Sequence, residues 1–473
     1  MAARFGMVGL GTMGRNLVLN IADHGFEVCG YDRDEQQRKT MEAAAKGKPV
    51  TTAASSAELI AKLESPRIIM LLVPAGKIVD AVINELVPQL QKGDILIDGG
   101  NSHFTDTDRR YQALQHSGIH FIGMGVSGGE DGARFGPSMM PGGNIESYNL
   151  VKDILEAIAA KAEGEPCVAY MGHTAAGHYV KMVHNGIEYA IMQLISEVYG
   201  LLKNEGMTNT EFAELFDEWN KGELQSFLVE ITSVIFREKD PETGNDLIDM
   251  ILDKAEQLGT GLWTSQSALE LNVLLSVIDI AVSMRYLSSL KEKRVAYAKL
   301  YDHQNKKTNV NIEQLKNTCR DALHFAFMMA YGQGLELMKV ASAHYHYDTD
   351  IKTVVKVWRG GCIIRSALLK DLFEAYEKEP DLSNIIGSAQ FVNELKNKRA
   401  AVVDFLKTAM DAGMPAAAFA AVLNYFDAYT LAQLPANLIQ AQRDLFGAHT
   451  YERIDKPGHF HTNWNYTPPE AKQ

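Results

Sequence analysis

Within residues 177–189, four polar side chains, Lys181, His184, Asn185 and Glu188, stand at spacings that could support chemistry. The segment has a helical pattern, and an α-helix has about 3.6 residues per turn. Lys181 and Glu188 are seven positions apart, so they point in nearly the same direction. His184 and Asn185 fill the gap between them on the same stripe. The pattern therefore predicts one helix that presents a lysine, a histidine, an asparagine and a glutamate along one face.

Two interpretations of this stripe are open from spacing alone. Polar side chains at helical spacing are typical of a solvated helix face, on which Lys181 and Glu188 would form a simple charge pair. However, residues 175–177 are small, and apolar Val180 and Val183 flank the stripe. Polar groups in such surroundings are costly unless they have partners, so we favour a cleft wall. A lysine and a carboxylate on one wall are suited to act as base and acid on one small molecule.

The first residues of the chain predict a dinucleotide-binding turn. A short apolar strand at residues 4–10 leads into Gly9-x-Gly11-x-x-Gly14 and then into a helical pattern at residues 16–23. A glycine triplet alone is a weak signal, but this strand–turn–helix context is typical of a dinucleotide domain. Gly9 permits the tight turn, Gly11 lets the backbone approach a pyrophosphate, and Gly14 lets the helix pack on the strand. The N-terminus of the helix then offers N–H donors to the phosphates.

A second predicted strand, residues 27–31, ends at Asp32, 18 positions after Gly14. An acidic residue at this place commonly accepts hydrogen bonds from the adenosine ribose. Asp32 could instead cap the helix that follows.

Alternating strands and helix-length segments predict a doubly wound α/β sheet in this part of the chain. Further strands are predicted at residues 68–73, 95–98 and 120–123. The loops at residues 98–102 and 126–130 follow two of them. Ligands bind beyond the carboxyl ends of the strands in such sheets, so both loops are candidates to line the site, although each could be a plain glycine turn.

Composition limits the classes of protein that fit. At 473 residues and 46% hydrophobic content, the chain is large enough for more than one domain. It shows no run of membrane-spanning length and no signal-peptide pattern. Four scattered cysteines lack metal or disulfide spacing, which favours a cytoplasmic location. The formal charge of −13 argues against a nucleic-acid partner but leaves room for a small anionic substrate.

After about residue 176, strand signals give way to long helical patterns. Helices are predicted at residues 186–204, 210–219, 224–236, 273–291, 311–343 and 401–410. Trp219-Asn-Lys-Gly222 and Trp358-Arg-Gly-Gly361 lie 139 positions apart, and Glu197 and Glu336 repeat at the same offset. These matches indicate a duplicated helical unit.

The end of the chain differs from the helical region, because it is rich in proline, asparagine and aromatic residues. Such a tail either frays or docks on another surface, and Phe460 and Trp464 favour docking. We therefore predict a Rossmann-type dinucleotide-binding domain at residues 1–176, an all-helical domain at residues 177–434 and a docking tail at residues 435–473.

These residues together resemble the 6-phosphogluconate dehydrogenase family, the decarboxylating enzymes of the pentose phosphate pathway. The resemblance runs along nearly the whole chain and is most specific at residues 181–189 and 440–449. It is carried, in order, by Gly9-x-Gly11-x-x-Gly14, Asp98-Gly-Gly-Asn101, Gly125-Val-Ser-Gly-Gly-Glu130, Pro141-Gly-Gly143, Lys181-Met-Val-His-Asn-Gly-Ile-Glu-Tyr189, Gly259-Thr-Gly261, Arg285-Tyr-Leu-Ser-Ser-Leu290, Arg359-Gly-Gly-Cys-Ile-Ile-Arg365, Pro435-Ala-Asn-Leu-Ile-Gln-Ala-Gln-Arg443 and Gly447-Ala-His449.

The resemblance implies an oxidative decarboxylation. In this family a sugar acid loses hydride from C3 to the nicotinamide, the 3-keto acid loses carbon dioxide, and the enediol becomes ribulose 5-phosphate. Lys181 matches the base, which must be neutral to accept the hydroxyl proton, and burial would favour that state. Once protonated, Lys181 can polarise the ketone, so no metal is expected. Glu188 matches the acid that protonates C1 of the enediol.

The resemblance also implies the binding residues, and it implies a homodimer. Substrate-binding residues are expected at Asn101, Ser127, Gly128, Gly129, His184, Asn185, Tyr189, Thr260, Arg285, Arg443 and His449. Residues that bind the coenzyme, NAD or NADP, are expected at Gly9, Gly11, Thr12, Met13, Gly14, Asp32, Arg33, Asp34, Val73, Ala75 and Asn101. Tyr189, Thr260 and Arg285 match phosphate contacts. Arg443 and His449 match residues that complete the site of the second subunit, on which the tail docks.

Two positions depart from the family in ways that remove positive charge. The family usually has Lys-Gly-Thr-Gly at the phosphate site, where this chain has Leu258-Gly-Thr-Gly261. A hydrogen bond to a charged group contributes about 1.5–3 kcal/mol, so weaker phosphate binding is expected unless Lys254 substitutes. The usual Val-Lys-Ala-Gly near the coenzyme is Val73-Pro-Ala-Gly76 here.

A third departure concerns the coenzyme. Members that use NADP have Asn-Arg-Thr after the second strand, where this chain has Asp32-Arg33-Asp34. An aspartate accepts hydrogen bonds from a free ribose 2′-hydroxyl and repels a 2′-phosphate. Arg33 acts in the opposite sense, but two carboxylates outweigh it, so NAD is favoured.

Two other functions remain open from the sequence. One is a related β-hydroxyacid dehydrogenase that acts on a different sugar acid, with or without a phosphate. Leu258 would favour a substrate without phosphate, and the length of the chain disfavours this alternative. The other is a non-catalytic homologue, which the presence of Lys181, Asn185 and Glu188 opposes.

Overall fold

The N-terminal part of the protein is built around a seven-stranded sheet. The computed structural model describes residues 2–465. The strands are β1 (Phe5–Val8), β2 (Val28–Tyr31), β3 (Val50–Ala53), β4 (Ile68–Leu71), β5 (Ile95–Asp98), β6 (His120–Ser127) and β7 (Ser138–Gly143). Their order in the sheet is β3-β2-β1-β4-β5-β6-β7, with β7 antiparallel to β6 and the other pairs parallel.

Helices cover both faces of this sheet, as predicted for a doubly wound fold. They are α1 (Thr12–Asp23), α2 (Glu35–Ala44), α3 (Ser56–Lys62), α4 (Lys77–Leu86), α5 (Phe104–Gln115), α6 (Gly129–Phe135) and α7 (Ile145–Ile158). Met70 of β4 packs in one core cluster with Leu17 of α1, and Leu71 packs in another with Val79 of α4. Because alternate residues of a strand face opposite sides, both faces of the sheet carry a hydrophobic core.

The structure corrects several of the expected elements in this part of the chain. Helix α1 begins at Thr12, directly after its N-cap Gly11, and not at residue 16. Strand β6 extends to Ser127, four residues beyond the prediction. The sequence did not predict β7, because its Pro-Gly-Gly end argues against a strand interior; it lies at the edge of the sheet.

The rest of the chain is mainly helical. A short hairpin, β8 (Lys161–Ala162) and β9 (Glu165–Pro166), precedes it. The helices are α8 (Ala176–Asn204), α9 (Asn209–Trp219), α10 (Phe227–Ile235), α11 (Leu247–Met250), α12 (Thr260–Glu270), α13 (Ser276–Ser289), α14 (Lys291–Leu300), α15 (Ile312–Tyr345), α16 (Ile351–Trp358), α17 (Leu368–Lys378), α18 (Val392–Ala412), α19 (Ala417–Thr430) and α20 (Ala436–Gly447). The last strands are β10 (Tyr451–Glu452) and β11 (His459–Phe460). The two long helices, α8 and α15, pack against each other.

The order of elements supports the predicted duplication. Helices α8, α9 and α10 form a series of one long and two short helices, and α15, α16 and α17 form the same series. Trp219 ends α9 and Trp358 ends α16, and both side chains are buried. Ser226 and Ser366, which lie shortly before α10 and α17, pair through an antiparallel bridge.

The described part of the chain divides into two compact units, one up to residue 423 and one from residue 424 to residue 465. Within the second unit, α20 and the strands β10 and β11 gather around the buried carboxylate of Asp444. It accepts hydrogen bonds from the backbone N–H of Thr450 at 3.0 Å, from that of Thr462 at 3.1 Å and from Trp464 Nε1 at 2.8 Å. The predicted tail therefore has internal structure up to residue 465, and its last eight residues, 466–473, lie outside the described part. The domain limits at residues 176 and 434 and docking on a partner stay predictions.

Within residues 2–465, no helix is both long enough and apolar enough to cross a membrane.

Candidate active site

The turn between β1 and α1 explains why glycines occupy it. Gly9 has a φ of 97°, and an added Cβ would lie 2.9 Å from the carbonyl carbon of Leu72. A Cβ on Gly14 would collide with the carbonyl group of Gly9. Around Gly11, the N-cap of α1, no described residue other than its chain neighbours comes within 4 Å of the position of a Cβ. The N-terminus of α1 therefore lies beside open space at Gly11. The first N–H groups of a helix have no partner within the helix, which suits a pyrophosphate site.

A cavity of about 370 Å³ adjoins this turn. It is lined by Val8, Gly9, Gly11, Tyr31, Asp32, Arg33, Asp34, Gln37, Leu72, Val73, Pro74, Ile78, Val82 and Glu85. Of the other predicted coenzyme residues, Thr12, Met13 and Gly14 lie in the first turn of α1, and Ala75 and Asn101 lie in the loops after β4 and β5. The sequence did not point to Glu85, because only the fold brings α4 beside the end of β2.

Asp32 connects two turns at the edge of this cavity. Its Oδ2 accepts a hydrogen bond from the backbone N–H of Leu10 at 2.8 Å, and its Oδ1 accepts one from Asp34 at 2.9 Å. The N-cap of α2 is Asp34, which accepts from the N–H of Gln36 at 2.8 Å. The alternative that Asp32 caps this helix is therefore wrong. A carboxylate offers about four lone-pair sites, so Asp32 can still accept a bond from a ribose hydroxyl.

A buried carboxylate holds the loop after β5 in place. Asp98 is fully buried and accepts hydrogen bonds from Ser102 Oγ at 2.6 Å, from the N–H of Gly100 at 3.1 Å and from Arg110 Nη1 at 3.2 Å. Asn101 lies exposed in this fixed loop.

Lys181, His184 and Asn185 form a buried, hydrogen-bonded group on α8. Lys181 Nζ donates to Asn185 Oδ1 at 2.9 Å and lies 3.4 Å from His184 Nδ1. Asn185 Nδ2 donates to Thr260 Oγ1 at 3.2 Å, and His184 Nε2 lies 3.2 Å from Ser127 Oγ. The stripe is thus enclosed by protein, and the alternative of a solvated face is wrong.

Burial controls the protonation of this group. It lowers the pKa of Lys181, although the charge of Glu188 and the Cys362 thiol act in the opposite direction. It raises the pKa of Glu188, against the charges of Lys181 and Arg285. Burial and then the Lys181 charge hold the pKa of His184 well below its usual value. The site therefore favours a neutral lysine beside a carboxyl group that retains its proton to higher pH than usual, which suits a base and an acid.

Glycines allow the base to lie against the sheet. A Cβ on Gly125, in β6, would lie 2.3 Å from Lys181 Cβ. One on Gly177, in the first turn of α8, would collide with the backbone oxygens of Met140 and Gly123. The start of α8 therefore lies in backbone contact with β6 and β7.

Ser127, Gly128 and Gly129 form the turn from β6 into α6. Gly128 and Gly129 have φ values of 116° and 63°, a region that L side chains rarely adopt. A Cβ on Gly128 would lie 2.6 Å from the carbonyl oxygen of Gly361. This turn therefore ends β6 beside His184, with open space at the Cβ position of Gly129.

Three residues expected at the substrate phosphate also lie near one another. The Arg285 guanidinium carbon lies 3.5 Å from the centre of the Tyr189 ring, a cation–π arrangement, and Arg285 Nη1 donates to the carbonyl oxygen of Glu256 at 2.8 Å. Thr260 is the first residue of α12 and is joined to Asn185, as described above. A Cβ on Gly261 would lie 2.5 Å from the Tyr189 ring, so that glycine lets the ring approach α12.

The position of the missing lysine is open to solvent. Leu258 is 87% exposed and directly precedes Gly259, the N-cap of α12. Lys254 Nζ lies 3.3 Å from Glu292 Oε1, so this lysine would have to leave an acidic partner to serve as a substitute.

Arg443 and His449 belong to the second unit. Arg443 Nη1 donates to Gln440 Oε1 at 3.1 Å, and the His449 ring packs edge-on against Phe446. Their expected contribution to the site of a second subunit stays a prediction.

A glycine turn at a helix N-terminus, followed by a helix with a buried lysine and a neighbouring carboxyl group, defines a nicotinamide-dependent dehydrogenase. Comparison with known proteins makes the assignment more specific. Residues 4–172 match the family described as the NAD binding domain of 6-phosphogluconate dehydrogenase, and residues 177–464 match the C-terminal domain of the same enzyme. The chain belongs to the 6-phosphogluconate dehydrogenase family.

Individual relatives match over almost the entire chain. The NADP(+)-dependent, decarboxylating 6-phosphogluconate dehydrogenase of Bacillus subtilis is 51% identical, over 98% of this chain and 99% of the relative. The decarboxylating enzyme of Escherichia coli is 48% identical, with the same coverage. A solved structure of Plasmodium falciparum 6-phosphogluconate dehydrogenase, studied in its apo form, with its cofactor NADP+ and with its substrate 6-phosphogluconate, is 39% identical. It has a TM-score of 0.95 and covers 98% of this chain and 100% of its own.

Proposed function

We propose that this protein catalyses the oxidative decarboxylation of 6-phospho-D-gluconate to ribulose 5-phosphate and carbon dioxide, with reduction of NAD or NADP. The observation that carries the proposal is the buried Lys181, which is hydrogen-bonded to Asn185 and held close to Glu188 on a helix that contacts the carboxyl-terminal half of β6. Ligands bind at this end of an open α/β sheet.

Lys181 acts first as a base. Its burial favours the neutral amine, which accepts the proton of the substrate's C3 hydroxyl as hydride leaves C3. Asn185 keeps the amine in place through the hydrogen bond at 2.9 Å. The resulting ammonium then donates to the new C3 carbonyl oxygen, which takes up the electron pair released when the carboxylate leaves as carbon dioxide. Charge stabilisation of this kind is strongest in a water-poor site.

Glu188 acts second, as an acid. Burial raises the pKa of its carboxyl group, so it holds a proton at a pH where an exposed glutamate would not. It delivers this proton to C1 of the enediol, while Lys181 takes back the hydroxyl proton and the ketone forms. At the end of this sequence Lys181 carries one proton more than at the start and Glu188 one fewer. Transfer of a proton from the lysine to the carboxylate, directly or through solvent, restores both residues for another turnover.

The residues around the 370 Å³ cavity fit a dinucleotide. The open space at Gly11 and the helix N-terminus of α1 suit the pyrophosphate, and Asp32 suits the adenosine ribose. The bound coenzyme supplies the acceptor for the hydride that leaves C3. We propose that NAD is preferred, because Asp32, Asp34 and Glu85 line the cavity and outnumber the single arginine, Arg33, that does so.

The remaining substrate contacts are proposed from the resemblance to the family. Ser127, Gly128, Gly129, His184 and Asn101 would bind the hydroxyls and the carboxylate. Tyr189, Thr260 and Arg285 would bind the phosphate, with Arg443 and His449 of a second copy of this chain. A homodimer in which the tail completes the neighbouring site is part of the proposal.

The test is initial-rate reduction of NAD and of NADP by purified protein with 6-phosphogluconate, with carbon dioxide release followed in parallel. Coenzyme reduction with an equal amount of carbon dioxide is expected, and Lys181→Ala is expected to abolish both. Reduction with unphosphorylated gluconate alone would instead favour the related β-hydroxyacid dehydrogenase, which the full-length match to the relatives disfavours. Asp32→Asn should raise the ratio of NADP to NAD turnover, and an unchanged ratio would contradict the role given to Asp32.

A further inference from the structure

The adenosine end of the cavity contains an ion pair that the proposed reaction does not use. Glu85, near the end of α4, faces the residues that follow β2. Its Oε2 forms a salt bridge with Arg33 Nη2, and its Oε1 accepts a bond from the Tyr31 hydroxyl at 3.4 Å. The Arg33 side chain is 68% exposed and that of Glu85 is 28% exposed. Glu85 is therefore the more fixed member of the pair, and Arg33 is the member that could move.

The second cation near this end of the cavity is also engaged. Arg38, in α2, donates through Nη1 to the carbonyl oxygen of Asp32 at 2.6 Å and to that of Arg33 at 3.2 Å. Its guanidinium thus holds the backbone of the turn after β2. Asp34, beside it, uses its side chain to cap α2.

The two coenzymes differ only at the 2′ position of the adenosine ribose, where NADP carries a phosphate. A phosphate there needs an available cation, and arginine is suited to it because its planar guanidinium can donate two hydrogen bonds at once. In this cavity Arg33 already donates to the carboxylate of Glu85. If a 2′-phosphate bound Arg33 instead, Glu85 would lose its partner and lie beside a second anion. Like charges at such distances repel each other.

We propose that Glu85 determines coenzyme specificity by holding Arg33 away from a 2′-phosphate. This inference rests on the proposed function, since it concerns the coenzyme of that reaction. It predicts that the discrimination against NADP depends on a residue in α4, 53 positions along the chain from Asp32, as well as on the carboxylates after β2.

The experiment compares Glu85→Gln with wild type in the full-length protein. Glutamine keeps the size of the side chain and can still bond Tyr31, but it cannot form the salt bridge. We expect the ratio of kcat/KM for NADP to that for NAD to rise about tenfold, since charge-assisted hydrogen bonds are among the stronger ones. Glu35→Gln is the matched control: it removes one negative charge from the start of α2, where Glu35 pairs with Lys39, and Glu35 does not belong to the lining of the cavity. Its ratio should stay within about twofold of wild type.

The same substitution in an Arg33→Ala variant tests whether Glu85 acts through the Arg33 guanidinium. In Arg33→Ala protein, adding Glu85→Gln should raise the ratio clearly less than it does in wild type, because it relieves only the repulsion between the carboxylate and a 2′-phosphate and there is no guanidinium to release. A full tenfold gain in that background, or no gain in the wild-type background, would overturn the proposal.

Calorimetric dissociation constants for NADP and NAD, measured on the same variants without substrate, separate this inference from the proposed function. If wild-type protein reduces neither coenzyme, the proposed function fails, and the ratio of the two dissociation constants still decides the role of Glu85. A rise of about tenfold in relative NADP affinity supports that role, and an unchanged ratio refutes it.

Discussion

Gly125→Ala should displace the base, Lys181, without changing its chemical nature, and so test how much its position matters. The new Cβ would lie 2.3 Å from Lys181 Cβ and 2.9 Å from its Cγ. Ordinary contact between such atoms begins at about 3.4 Å, so β6 and α8 must move apart by about 1 Å at this point. Overpacking of this kind costs about 1–3 kcal/mol of stability, which leaves a large domain folded. A shift of about 1 Å at the reacting group lowers turnover by about 100-fold.

The assay is steady-state coenzyme reduction with 6-phosphogluconate, accompanied by thermal unfolding and by the dissociation constant of the coenzyme. We expect kcat to fall by about 100-fold, while coenzyme affinity changes little, because Gly125 lies outside the cavity lining. Gly132→Ala is the control: it is another glycine near β6, in α6, where the nearest atom to an added Cβ is 3.4 Å away. If Gly125→Ala retains a kcat within about threefold of wild type in folded protein, the contact with Lys181 does not position the base.

Three further outcomes are expected. At a pH where Glu188 is ionised, its charge raises the pKa of Lys181, and Glu188→Gln removes that charge. Lys181 should then lose its proton at lower pH, so the rise of single-turnover hydride transfer with pH should move to lower pH. A shift to higher pH would contradict the coupling. Leu258→Lys should lower the KM for 6-phosphogluconate by about tenfold at similar kcat, because a charged contact to phosphate contributes about 1.5–3 kcal/mol; initial rates at varied substrate decide this. His324 and then Lys398 lower the pKa of Glu394 to about 2 from its usual 4.5, so its contribution to stability is complete above pH 4.5 and is lost as pH falls towards 2. The difference in melting temperature between wild type and Glu394→Gln should therefore be larger at pH 7 than at pH 3.5, and an equal difference would rule out this linkage.

The features predicted best from the sequence have local causes. The glycine turn follows from steric requirements within residues 9–14, and the structure shows the collisions that exclude side chains at Gly9 and Gly14. The common direction of Lys181 and Asn185 follows from helix geometry alone, and a hydrogen bond at 2.9 Å joins them. Such features need only a short stretch of chain, so the sequence contains them directly.

The features that the sequence could not predict depend on distant parts of the chain. Glu85 reaches Arg33 across 52 positions, and only the packing of α4 on the sheet places it there. The arrangement around Asp444 in the tail likewise joins residues up to 20 positions apart, in a segment whose composition suggested either fraying or docking. Strand β7 forms despite its proline and glycines because it pairs along one edge with β6. Each of these depends on tertiary contact that overrides local preference.

The backbone contact between α8 and strands β6 and β7 has a consequence for protein engineering. Consider a chimera in which residues 1–176 are replaced by those of another protein. Gly177, which has no side chain beyond a hydrogen atom, would then lie against the sheet of that other protein. Any donor with a residue larger than glycine at the positions of Gly125 or Gly142 would force the lysine-bearing helix outwards. Exchanges of coenzyme specificity are therefore better made by recombining the segment up to β5, so that β6, β7 and α8 are inherited together as one block.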